Sequence, residues 1–119
     1  MLRTDEILST IEMLHAEHLD VRTVTLALNV DDCAAPHVDH MCRKMYQKIV
    51  SRSGGLVEVC DRVAASYGIP VTNRRLAISP VATILAGHGH KAAVQVARTL
   101  EAAALNIRVD FVGGFTALV

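Results

Sequence analysis

The sequence predicts an α/β fold, a helix followed by βαβαβ with mainly parallel strands. Three observations predict it. β-branched runs alternate with stretches of helical apolar periodicity, and those stretches are long enough to cross over between parallel strands. Hydrophobic residues make up 51% of the chain but aromatics only 3%, so Ala, Val, Leu and Ile carry a core suited to tightly packed layers. Finally, 119 residues without an internal repeat, low-complexity tract or linker describe a single α/β domain spanning residues 1–119.

Each element has its own warrant. Thr4 is placed to cap a first helix, with Asp5 and Glu6 at its positive end. Ile7, Leu8, Ile11 and Leu14 follow at helical spacing to about residue 17, and Leu19-Asp20 connects onward. Residues 21–30 alternate, with Val24, Leu26, Leu28 and Val30 on one face and Thr23, Thr25, Ala27 and Asn29 on the other, which predicts the first strand. A turn over residues 31–36 leads into a helix with an apolar stripe of Val38, Met41, Cys42, Met45 and Ile49. Ser53-Gly54-Gly55 interrupts the stripe, and Leu56, Val59, Cys60 and Val63 resume it, giving two helices or one kinked helix. Gly68 fits a helix C-cap and Pro70 prevents continuation. The second strand falls within residues 71–79. Residues 81–86 suit a short helical turn and residues 87–90 a loop. Ala93, Val96, Ala97, Leu100 and Ala104 mark the last helix, Asn106 can end it, and residues 108–112 form the third strand.

Charge is balanced, twelve basic against twelve acidic side chains, with no long single-sign run. That leaves no electrostatic footprint for nucleic acid or an anionic membrane. The apolar stretch over residues 80–87 is too short to span a bilayer. Cys33, Cys42 and Cys60 form no CxxC motif, and the first residues read as a helix start and not a secretion signal. Free thiols in a reducing cytoplasm are the expectation. The chain closes on an apolar run from Asp110 through Gly113-Gly114-Phe115 to Val119, which reads as part of something larger or as one subunit. The expected partners are a second copy of the chain or the remainder of a longer protein.

In parallel α/β sheets ligands gather at the carboxyl ends of the strands. Three segments land there: residues 29–33, Ser79-Pro80 and residues 113–115. Asp31 and Asp32 set paired carboxylates beside Cys33, so that a carboxylate could serve as general base and Cys33 as nucleophile. Alternatively, the Asp side chains cap turn amides and Cys33 fills space. Cys33, His37 and His40 could gather three ligands, and His15 and His18 form a similar i,i+3 pair, but no fourth ligand is evident, the spacing matches no standard zinc pattern, and no metal is expected. The loop at Gly87-His88-Gly89-His90 has neither Walker nor GxGxxG spacing. Of Arg74 and Arg75, adjacent on a strand, one must face away from the other, and one could anchor a carboxylate or phosphate. Gly113-Gly114 permits a bend or a close ligand approach.

The segments Asp20-Val21-Arg22-Thr23-Val24-Thr25, Asp32-Cys33, Tyr46-Gln47-Lys48-Ile49, Gly68-Ile69-Pro70-Val71, Asn73 with Arg75, and Asp110-Phe111-Val112-Gly113-Gly114-Phe115 occur in this order. On them the chain resembles the N-terminal part of the uncharacterised protein family 0210, also described as domain of unknown function 711. The resemblance implies cytoplasmic bacterial and archaeal proteins several times longer than this chain. It also implies a fold similar to the pyruvate formate-lyase-like, glycyl-radical-enzyme-type α/β barrel, without implying radical chemistry. Asn29-Val30-Asp31 departs from the family's Ser-Leu-Leu run, and His37, His40, His88 and His90 match no family position.

Resemblance and strand-end geometry coincide at Asp32 and Cys33 as the candidate catalytic pair and at Asn73, Arg75, Gly113 and Gly114 as candidate ligand contacts. Two readings follow. In one, the chain is a partial or split α/β barrel without independent catalysis. In the other, it is an enzyme part that binds a small anionic molecule at its strand ends.

Overall fold

The computed structural model describes residues 3–15 and 20–116. The expected extension of the first helix to residue 17, the connection at Leu19, the His15 and His18 side chains, and residues 117–119 lie outside the described residues. Helix α1 spans Thr4–His15, strand β1 Val21–Leu28, and a 3-10 turn Asp31–Cys33. Helices α2 (Val38–Ser53) and α3 (Leu56–Tyr67) precede strand β2 (Val71–Ile78). Helices α4 (Val81–Leu85) and α5 (Gly89–Ile107) precede strand β3 (Phe111–Gly113).

The described strands form one parallel sheet in the order β1-β2-β3. Both crossovers step in the same direction, so right-handed connections put their helices on one face. The register sets the two faces apart. Leu26, Leu76 and Val112 stand side by side on the covered face, and Thr25, Arg75 and Phe111 stand side by side on the other. Met41, Met45 and Ile49 of α2 and Val96, Leu100 and Ile107 of α5 close over Leu76 and Ile78. Each fully buried side chain of this kind contributes roughly 1.5–3 kcal/mol, more than local helix propensity supplies, so this seam holds the layers together.

The alternation expected over residues 21–30 holds, but the strand ends at Leu28. Val30 is fully buried and opens the 3-10 turn, with its carbonyl accepting from the Cys33 amide at 2.9 Å. Gly54-Gly55 separates two distinct helices, which resolves the alternative left open by the spacing. Gly68 takes the left-handed C-cap at φ 66°, as its place before Pro70 suggested. At the N-terminus, Thr4 is already helical, and the Glu6 carboxylate accepts the Arg3 amide at 2.8 Å.

Two boundaries near the end differ from the sequence reading. Helix α5 starts at Gly89, inside the expected loop, and runs to Ile107. Arg108 then takes a left-handed conformation at φ 62°, so residues 108–110 turn the chain and β3 starts only at Phe111. Asp110 fixes that turn. Its amide donates to the Arg74 carbonyl and its carboxylate accepts the Arg74 amide, both at 2.8 Å.

Candidate functional site

Because the strands are parallel, residues 29–33, Ser79-Pro80 and residues 113–115 meet at one edge of the sheet, as the sequence reading required. Ser79 ties them together. Its amide donates to the Leu28 carbonyl at 3.1 Å, and its hydroxyl accepts from the Val30 amide at 2.9 Å while donating to Asp31 Oδ1 at 3.3 Å. Asn29 Oδ1 accepts the Asp31 amide at 2.8 Å in a local Asx turn. Asp31 is therefore engaged in holding the edge together.

Asp32 turns toward α2. Its carboxylate accepts from Lys48 Nζ at 2.6 Å, and its carbonyl accepts from Lys44 Nζ at 2.9 Å. Lys48 holds the Asp32 carboxyl below the ordinary carboxylate range, chiefly through that hydrogen bond. Cys33 is buried, its thiol 3.7 Å from Asp32 Oδ1. Burial, reinforced by the Asp32 charge, pushes the thiol pKa up. A buried thiol held in its protonated form is a poor nucleophile. Lys48 is the partner that sequence reasoning lacked. The available signal was Lys44 and Lys48, four residues apart on the helix that follows the Asp32 turn.

Gly113 pairs with Ala77 inside β3. Gly114 sits at φ 114°, where a Cβ would run into the Ile78 carbonyl oxygen, and its own carbonyl accepts the Val81 amide at 3.1 Å. The two glycines therefore allow backbone to cross close over the end of β2. Asn73 and Arg75 lie on the open face of β2, beside Thr23 and Thr25. The Arg75 guanidinium carbon is 5.4 Å from the centre of the Phe111 ring, and among the described residues it has no carboxylate partner. Arg74 points to the opposite face and pairs with Asp61 at 2.9 Å and Asp110 at 3.2 Å.

The six candidate residues thus fall into three places. Asp32 and Cys33 border a groove of about 460 Å³ with Lys44, Lys48 and Arg52. Gly113-Gly114 lies at the carboxyl edge. Asn73 and Arg75 lie on the open face, with Arg75 roughly 7 Å along the strand from the level of Gly113. A shallow depression of about 460 Å³ lined by Ala27, Asn29, Ala77 and Ser79 occupies the open face at its carboxyl end. Among the described residues, no three His, Cys, Asp or Glu side chains gather as a metal site. No described helix is long and apolar enough to cross a membrane.

Residues 12–119 match the family model described as Uncharacterised ACR (DUF711). A UPF0210 protein of Oleidesulfovibrio alaskensis is 48% identical over 119 residues, covering 100% of this chain and 26% of its own length. One from Syntrophobacter fumaroxidans is 47% identical over 119 residues, again 26% of its own length. One from Methanocaldococcus jannaschii is 41% identical over 127 residues, or 28% of its own length. The chain spans about a quarter of the length of the curated relatives it matches. By that match the chain belongs to the family described as Uncharacterised ACR (DUF711), and these relatives carry the name UPF0210 protein.

Proposed function

We propose that the chain forms one wall of a longer α/β barrel, of the pyruvate formate-lyase-like kind, and that it has no self-contained catalytic activity. One observation carries the reading: among the described residues, helices cover a single face of a parallel sheet, and the other face presents Thr23, Thr25, Asn73 and Arg75. In a closed barrel that face is the interior and the carboxyl edge is the mouth. A cytoplasmic setting agrees with three unpaired cysteines. Cys33, buried and protonated, serves packing in this reading, and Asp32 serves as the anchor of Lys44 and Lys48.

A second reading adds a ligand. Arg75, exposed on the open face with Phe111 beneath it, offers a guanidinium fork to a small carboxylate or phosphate. Gly113-Gly114 allows close approach of such a molecule at the mouth.

An experimental structure of the full-length Oleidesulfovibrio relative tests the barrel. The expected result is a closed sheet in which the stretch matching this chain supplies three adjacent strands with the Arg75 position inward. An open sheet with helices on both faces overturns it. Titrating this chain with inorganic phosphate and malonate, followed by amide chemical shifts at Gly113 and Gly114, tests the ligand. Shifts that vanish in Arg75→Gln are expected, and no shifts in either protein overturn it.

A further inference from the structure

Among the described residues β3 is an edge strand with a defined free side. The Asp110 amide points to β2, donating to the Arg74 carbonyl. Arg74, inside β2, meets Asp110 with both its amide and its carbonyl, so the even-numbered residues of β2 turn their backbone groups to β3. With Leu76 level with Val112, Phe111 and Gly113 turn toward β2 and Val112 turns its amide to the free edge. An unpaired strand edge of this kind is a template for another strand. Beside this edge, between α5 and β3, runs an apolar groove of about 420 Å³ lined by Leu100, Ala104, Leu105, Val112 and Phe115. Leu105 is 73% exposed and Phe115 49%. A small residue at Ala104 leaves room for a close helix approach. Glu101 and Asp110, both exposed, bring negative charge to the groove.

Direction comes from the topology. Each crossover has added a strand on the β3 side and a helix on the same face. One more right-handed step would set a helix in the Leu105 groove and a strand on the β3 edge. The relatives carry about three quarters of their length outside the stretch that matches this chain.

We infer that the β3 edge and the Leu105–Phe115 groove are the docking seam for a βα unit from the remaining sequence of the longer relatives. The unit contributes a parallel strand that accepts from the Val112 amide. It also contributes an amphipathic helix that sets an apolar stripe on Leu105 and a basic residue opposite Glu101 or Asp110. The inference rests on the reading of the chain as part of a larger sheet, and it adds which edge is extended and by what.

The test compares the chain alone with a chimera in which it replaces the matching stretch of the Oleidesulfovibrio relative. Residue-resolved amide exchange is read in both. The Val112 amide exchanges freely in the chain alone and about 100-fold more slowly in the chimera. Leu105→Glu leaves the thermal midpoint of the chain alone unchanged and lowers that of the chimera by several degrees. Equal exchange at Val112 in both proteins overturns the seam, as does a neutral Leu105→Glu in the chimera. A dimer of the chain alone that Leu105→Glu dissociates overturns it in favour of a second copy. Failure of the chimera to fold where its parent folds overturns both the seam and the larger-sheet reading. Slowed exchange in a relative whose sheet proves open retains the seam and removes only the barrel.

Discussion

The two faces of the sheet share the same three strands and differ in almost everything else. On the covered face Leu76 is 1% exposed beneath α2 and α5. One residue earlier, Arg75 is exposed on the open face, over the Phe111 ring. The covered face is governed by packing, and a change there alters the volume of a closed core. The open face is free of that constraint and carries polar and charged groups with few partners. The packing that stabilises the described sheet therefore resides on one side of the strands, and exposed polar groups on the other.

The sharpest way to break this comparison is to substitute the two neighbours. Leu76→Ala is expected to cost about 3 kcal/mol in denaturant unfolding, through lost burial and a residual cavity. Arg75→Ala should stay within about 0.5 kcal/mol of the parent chain. Similar losses for both would mean that the open face is packed in solution.

A smaller effect is expected where the faces meet at the carboxyl edge. Gly114→Ala forces a side chain into a positive φ and against the Ile78 carbonyl, at a cost of about 2 kcal/mol in the same measurement. An unchanged midpoint would mean that the crossing over β2 is not held as described.

The smallest effect sharpens the comparison by pH. Asp110 accepts the Arg74 amide, which with the Arg74 charge lowers its carboxyl pKa below the ordinary value of 3.8. The stabilisation is thus complete above the unfolded-state pKa and is lost as pH falls through the folded one. Urea midpoints of the parent chain should fall more steeply below about pH 4 than those of Asp110→Asn. Parallel curves would remove the Asp110–Arg74 contact as the clamp on β3.

Local chemistry made the strand and helix assignments readable. The strict alternation after Val21 identifies both faces of β1, because side chains in a strand must alternate. Gly68 before Pro70 marks the end of α3, because only glycine enters the left-handed cap at little cost. The start of β3 was not readable. Arg108 shows no local preference for a positive φ, and the turn there depends on Asp110 reaching Arg74, 36 residues earlier.

The candidate site divides in the same way. Alternating strands and crossover-length helices were enough to bring residues 29–33, 79–80 and 113–115 to one edge. The sequence also placed Arg74 and Arg75 on opposite faces, since adjacent strand residues cannot share one. Only the tertiary structure decided that Asp32 pairs with Lys48 and that the Cys33 thiol is buried. It alone decided that Asn73 and Arg75 stand apart from both on a face that no described helix covers. Periodicity fixes which way a side chain leaves its own backbone, whereas its partner and its exposure depend on distant segments brought together by folding.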